Sequence, residues 1–140
     1  MRYLASLMAL VIWVQTASAD TAATASINAI RASMGMPALS YSNTLEKTAR
    51  AHAADMNRKG FFSHKGSNGS TVGKRAKRAG YRWCLISENI AKGQKSLTEV
   101  MVAWRDSPPH YQNLVRGGIS EFAVAQEGDV WVMVLGARKC

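Results

Sequence analysis

The chain is short of most things that would announce an activity. It carries two cysteines, three histidines and three prolines in 140 residues, and aromatic side chains make up 8% of it. There is no G-x-S-x-G turn for a serine nucleophile, no phosphate-binding P-loop and no dinucleotide fingerprint. No H-E-x-x-H places two imidazoles on one helical face. No long Pro/Ser/Gly linker, internal repeat or low-complexity tract divides the chain, so one compact domain is expected. After Leu4–Val14 there is no second long apolar run, and that first run is too short to span a bilayer.

What is present begins with an export leader. Arg2 gives a positive start, Leu4–Val14 an apolar middle, and Ala17-Ser18-Ala19 a small-residue cleavage site. The competing assignment is a membrane anchor. Cleavage after Ala19 leaves 121 residues, 20–140, as a single domain that is secreted or periplasmic, with no transmembrane segment. Without Arg2 the domain has 17 basic and 9 acidic residues. Much of the excess lies in Lys74, Arg75, Lys77, Arg78 and Arg82, read here as a solvated helix face. A basic patch suits an anionic partner, but export argues against nucleic acid. Cys84 and Cys140 are expected to bridge in an oxidising compartment, the alternatives being two free thiols or metal ligands.

Hydrophobic periodicity predicts a helix over 23–34, stopped by Gly35 and Pro37, and a short extended link over 38–41. A second helix is expected to start at an Asn43 N-cap, with Glu46 in the capping-box position, and to end at Gly60. His52 falls on its apolar stripe, which suggests a core histidine donating to a backbone carbonyl. Thr71–Ala79 reads as a short basic helix with Val72, Ala76 and Ala79 inward. Glu88–Ala91 reads as a short strand ended by Gly93. Ser96 with Glu99 caps the next helix, which Pro108-Pro109 stop, placing His110 just after a rigid turn. Residues 119–126 and 130–135 form a hairpin joined through Glu127-Gly128-Asp129. The sum is an α+β fold, helices layered on a small antiparallel sheet. Trp83, Trp104, Trp131, Phe122 and Tyr111 are expected mainly in the core, the alternative being an apolar groove for a lipid.

Two of the three histidines and one glutamate stand at element edges: His64, Glu88 and His110. Two neutral imidazoles and a carboxylate make a workable set of ligands for zinc, with a fourth position for water whose pKa would fall toward about 7. Separations of 24 and 22 residues carry no local metal signature.

Taken in order, the motifs resemble a known family. Asn28-x-x-Arg31, Pro37-Ala38-Leu39, Ala49-x-x-His52-x-x-Asp55-Met56, Ser63-His64, Glu88-Asn89-Ile90-Ala91-x-Gly93, Trp104-x-x-Ser107-Pro108-x-His110 and the closing strand pair are similar to the CAP superfamily of cysteine-rich secretory, antigen-five and pathogenesis-related proteins. The match is best to its small bacterial secreted members. The resemblance implies an α-β-α sandwich with a central cleft lined by His64, Glu88, His110 and Ser107. It implies that His64, His110 and Glu88 can hold a divalent cation such as zinc. Ser107 stands where many eukaryotic members carry a second glutamate, Ser87 and Pro109 where glycine is usual, and Asp106 is turned about 100° from Ser107.

The expected function is that of a secreted, monomeric, non-enzymatic binding module. Its cleft would take a small amphiphile, a cell-wall polymer or a protein partner, with cation dependence as a variant. The alternative is a metal-assisted hydrolase on His64, Glu88 and His110, with Glu88 activating water. A third reading is a host-contact protein acting through its basic surface.

Overall fold

The structure is a computed structural model that describes residues 18–140. The predicted leader lies outside the described residues except for its last two positions. Among the described residues no helix is long and apolar enough to cross a membrane.

Five helices and four strands follow in the order α1 (Ala19–Ser33), β1 (Ser40–Tyr41), α2 (Asn43–Lys59), α3 (Val72–Arg78), β2 (Leu85–Lys92), α4 (Leu97–Asp106), α5 (Pro108–Leu114), β3 (Glu121–Glu127) and β4 (Val130–Ala137). The strands lie in the order β1-β3-β4-β2. The β3–β4 and β4–β2 pairs are antiparallel, whereas β1 joins β3 in parallel, so the expected all-antiparallel sheet is corrected to a mixed one. Two residues of β1 suffice because the link after Pro37 runs extended beside Glu121 and Phe122.

The sheet is the middle layer. Successive strand residues face opposite sides, and the two cores divide accordingly. Phe122, Val124, Trp131, Met133 and Leu135 pack against residues of α1, α4 and α5. Ala123, Ala125, Val132, Val134 and Ile90 pack against residues of α2 and α3. Burial on both faces explains why β4 reads as an unbroken apolar run rather than an alternating one.

Several local expectations need correction. Ser42, not Asn43, caps α2: its hydroxyl accepts from the Leu45 amide. Glu46 instead pairs with Arg50 at 2.9 Å and accepts from the Tyr41 hydroxyl at 3.0 Å. Gly60 does end the helix, in the left-handed region at φ +66°. At α4, Ser96 accepts from the Glu99 amide as expected, while the Glu99 carboxylate accepts from Lys95, one residue before the cap. Pro108 and Pro109 end α4 and also begin α5, because proline suits the first turn of a helix where amide donors are free anyway. His110 is therefore in a helix, not after a turn. Trp104, Trp131 and Phe122 are core residues, so no aromatic groove is formed from them.

The Asn28 and Arg31 motif is structural. Asn28 exchanges two hydrogen bonds with the Leu39 backbone. Arg31, 1% exposed, donates to the carbonyls of Pro37, Leu114 and Arg116. It thereby ties α1 to the segment after α5, behind the edge where the site lies.

Candidate functional site

The site forms on β2, an edge strand paired on one side only, with β4. An exposed edge invites strand addition, but here side chains cover it. The carbonyls of Ile86, Glu88 and Ile90 accept from Arg116, Asn113 and Trp104 respectively. The carbonyls of these alternate residues are the ones left free on the edge, so three donors from α4, α5 and the segment after it cap the strand.

The period of two then divides the polar residues of β2. Glu88 turns toward the α2–α3 layer and Asn89 toward α5. Glu88 is buried, with a side chain 2% exposed, and both its oxygens are engaged. Oε1 accepts from His64 Nδ1 at 2.8 Å, and Oε2 accepts from Arg75 Nη2 at 2.8 Å. Arg75 also donates to the carbonyls of Ser70 and His64. One guanidinium thus fixes the carboxylate and both ends of the 64–70 loop. The basic run is for the most part solvated, as expected, but Arg75 is the exception: it is buried while Lys74, Lys77 and Arg78 are exposed. A single cation is drawn inward because Glu88 lies opposite it. Of the inward set predicted for α3, Ala76 is fully buried, and Val72 and Ala79 only partly.

On the other side, Asn89 is fully buried, donates to the His110 carbonyl at 3.1 Å and accepts from Asn113 at 2.8 Å. His110 Nδ1 lies 2.9 Å from Ser107 Oγ. Ser107 therefore orients an imidazole from the position where a carboxylate was missed. Asp106 is directed elsewhere and pairs with Arg105 at the surface. Ser87 is buried and accepts from Arg116, so the serine adds an anchor beside the cleft. His64 and His110 reach the β2 strand from its two sides, His64 through Glu88 and His110 through Asn89, and the charge of His64 is felt at His110. A cavity of about 470 Å³ opens beside His64, lined by His64, Lys65, Thr71, Val72 and Glu88; of the four residues expected to line the cleft, His110 and Ser107 are not in its wall.

His52 has the predicted structural role. It is 1% exposed and its Nε2 donates to the Ser63 carbonyl at 2.8 Å, which fixes the entry to His64. Its Nε2 also lies 3.9 Å from Glu88. Burial holds its pKa below the usual value, against the pull of Glu88.

The three imidazoles consequently titrate apart. The hydrogen bond to Glu88 raises the pKa of His64, whereas desolvation, aided by the charge of His64, lowers that of His110. The signs differ in their effect on stability. His64 contributes stability that is complete below its unfolded pKa of about 6.5 and is lost as pH rises through its higher folded value. His52 and His110 have pKa values lowered by the fold, so they cost it stability as pH falls below about 6.5. In an NMR titration of the three rings, His64 is expected to titrate above 6.5 and the other two below. Glu88→Gln should bring His64 down; an unmoved His64 would contradict the pairing.

As a three-ligand cation centre the set does not fit. Both Glu88 oxygens are taken, one by a guanidinium. Among the described residues no group of three or more His, Cys, Asp or Glu side chains converges closely enough to hold a metal ion.

Comparison with known proteins places this geometry. Residues 24–131 match the family model for the cysteine-rich secretory protein family, CAP. The chain belongs to the CAP family. An uncharacterized protein of Bacillus subtilis (strain 168), YkwD, is 34% identical over 106 residues, covering 74% of this chain and 41% of that protein. Among solved structures, an outer surface protein of Borrelia burgdorferi superposes with a TM-score of 0.76 at 25% identity, over 83% of this chain and 90% of that one. An extracellular SCP-domain protein of Bacillus anthracis str. Ames gives a TM-score of 0.78 at 24% identity, over 86% of this chain and 41% of that one. The chain thus spans about two fifths of the length of two of these relatives. The CAP sandwich expected from the motifs is the fold observed. Arg75, which holds Glu88 and the 64–70 loop, is the site residue that the motifs do not mark; within a run of five cations it has no local signal.

Proposed function

We propose that this CAP protein is an exported, non-enzymatic binding module whose cleft at the β2 edge takes a small amphiphile with an anionic head. The observation that carries this reading is the double engagement of Glu88. A carboxylate held by Arg75 and His64 is an anchor for the cleft wall and not a free base for water. That disfavours the alternative of a hydrolase with Glu88 as its general base. The mouth pairs the Lys65 ammonium and the His64 imidazole, whose pKa Glu88 raises, with apolar Val72, which matches an acidic head followed by an alkyl chain. The outer-surface B. burgdorferi protein and the leader predicted from residues 1–19 support export.

In this reading a divalent cation such as zinc enters only on the two imidazoles, His64 and His110. Glu88 then stands behind His64 and sets its tautomer, a common arrangement around bound zinc. Such a cation would supply positive charge for the head group.

A fluorescent fatty acid titrated into the mature protein tests the proposal. Saturable binding is expected, weakened about tenfold by Lys65→Glu, equivalent to about 1.4 kcal/mol. Absence of saturable binding, or indifference to Lys65→Glu, would overturn it. A wall-polymer fragment and a protein loop are the other occupants, each read by the same titration in competition.

A further inference from the structure

Between Asp55 and Glu88 the chain carries eight Lys or Arg residues and no Asp or Glu. The two flanking acids take one cation each: Asp55 pairs with Lys59 and Glu88 with Arg75. Of the rest, Lys74, Lys77, Arg78 and Arg82 sit on α3 and the turn after it. All four are exposed, and none makes a salt bridge among the described residues. Lys74 stands three and four residues before Lys77 and Arg78, a spacing at which like charges repel along a helix. An outside anion would relieve that repulsion.

Lys77 is ordered by something other than an acid. Its ammonium lies 5.2 Å from the centroid of the Trp83 ring. The indole is pinned in turn, its Nε1 donating to the Gly73 carbonyl at 2.9 Å. An aromatic face positions a cation without neutralising it, so Lys77 keeps its charge for a partner.

The run contributes to the walls of two cavities of about 410 Å³ each. One is lined by Lys77, Arg82 and Trp83. The other, between α2, α3 and the 64–70 loop, has Arg78 and Lys47 in its wall with Ser67 and Asn68. Lys47 is exposed and also makes no salt bridge among the described residues. The acid of that wall, Asp55, is held by Lys59 and Ser67. Lys77 and Arg78 are consecutive, so the two cavities adjoin along α3.

The lining selects the partner. Firm seating on a bilayer takes apolar side chains as well as charge, and the exposed large hydrophobics Met34, Phe62 and Val102 are in neither wall. Unpaired nucleic-acid bases stack on aromatic faces, and Lys77 already lies over the ring of Trp83. A chain of carboxylated sugars needs cations spaced along a groove, with hydroxyl and amide groups such as Ser67 and Asn68 for its hydroxyls.

We propose that α3 and these two cavities form a docking surface for an acidic polysaccharide of the uronic-acid type. Its carboxylates meet Lys47 and Arg78 in one cavity and Lys77 and Arg82 in the other. The surface does not depend on what the Glu88 cleft binds.

Calorimetric titration of the mature protein with polygalacturonate tests this, beside neutral dextran, duplex DNA and phosphatidylglycerol vesicles. Saturable polygalacturonate binding is expected, weakening as salt rises and about tenfold tighter than binding to any control. Arg78→Glu with Arg82→Glu removes one cation from each cavity and should weaken it about tenfold. Lys92→Glu with Lys95→Glu makes the same change of net charge at and beyond the far end of β2, and should leave it unchanged. All four side chains are exposed, so the fold is not at risk. No saturable binding overturns the proposal. So does dextran binding as tightly, which removes the charge, or DNA or vesicles binding as tightly, which removes the sugar. An equal loss in both double variants overturns it as well, because net charge alone would then account for the binding.

Discussion

Arg75→Met is expected to lower folding stability by about 3–5 kcal/mol, the cost of leaving a buried charge without its partner. The substitution keeps an unbranched apolar stem as far as the position of Nε, so most of the loss is that of the guanidinium and not of the stem's packing. Glu88, with a side chain 2% exposed, would keep only His64 as a hydrogen-bond partner. The carbonyls of Ser70 and His64 would lose their donor as well. Urea denaturation at neutral pH measures the effect. Hydrogen exchange should place the first loosening in the 64–70 loop, because Arg75 holds both of its ends. A loss below about 1 kcal/mol, typical of surface pairs, would show that Glu88 is solvated and the site is not built as described.

Opening the disulfide should cost a comparable amount. Cys84 and Cys140 are bridged with Cα atoms 6.0 Å apart and a sequence separation of 56. The chain-entropy model gives about 4 kcal/mol for a loop of that length. For a domain of this size that is on the order of 15 °C in Tm. The bridge fastens the start of β2 to the segment after β4, where the Cys84 amide already donates to the Ala137 carbonyl. Cys84→Ser with Cys140→Ser, melted beside the oxidised protein, reads the difference. An unchanged Tm would mean that the sheet alone holds the chain end.

How much of this was legible beforehand depended on the range of each interaction. Signals contained within one turn were readable: the Gly60 stop of α2, the Ser96–Glu99 cap of α4 and the Gly128 hairpin. Where two neighbouring residues both suit one role, the choice failed, as with Ser42 and Asn43. Pro108-Pro109 is ambiguous by nature, since the same ring that ends one helix begins another; α5 was missed for that reason. The parallel β1–β3 pair joins residues about 80 apart and leaves no trace in a two-residue segment.

The site divides in the same way. His52 was placed correctly because its apolar stripe is local. The contact of His64 with Glu88 spans 24 residues; residue type and edge position suggest the set, and the family resemblance adds the shared cleft, because no local spacing encodes it. Arg75 could not be singled out from its neighbours, because what buries it is a carboxylate on a strand that follows. Ser107 was noted as a missing acid. Its hydrogen bond to His110 depends on α5, which the Pro108-Pro109 pair hides in the sequence.

The central claim is that Glu88 is an anchored carboxylate held across three chain segments by Arg75 and His64. A double-mutant cycle of Arg75→Met and Glu88→Gln, read by urea denaturation, tests it most directly. The account predicts strong non-additivity, at the upper end of the roughly 0.5–3 kcal/mol seen for contacting residues, with the double variant more stable than Arg75→Met alone. Losses that simply add, within about 0.5 kcal/mol, would contradict it.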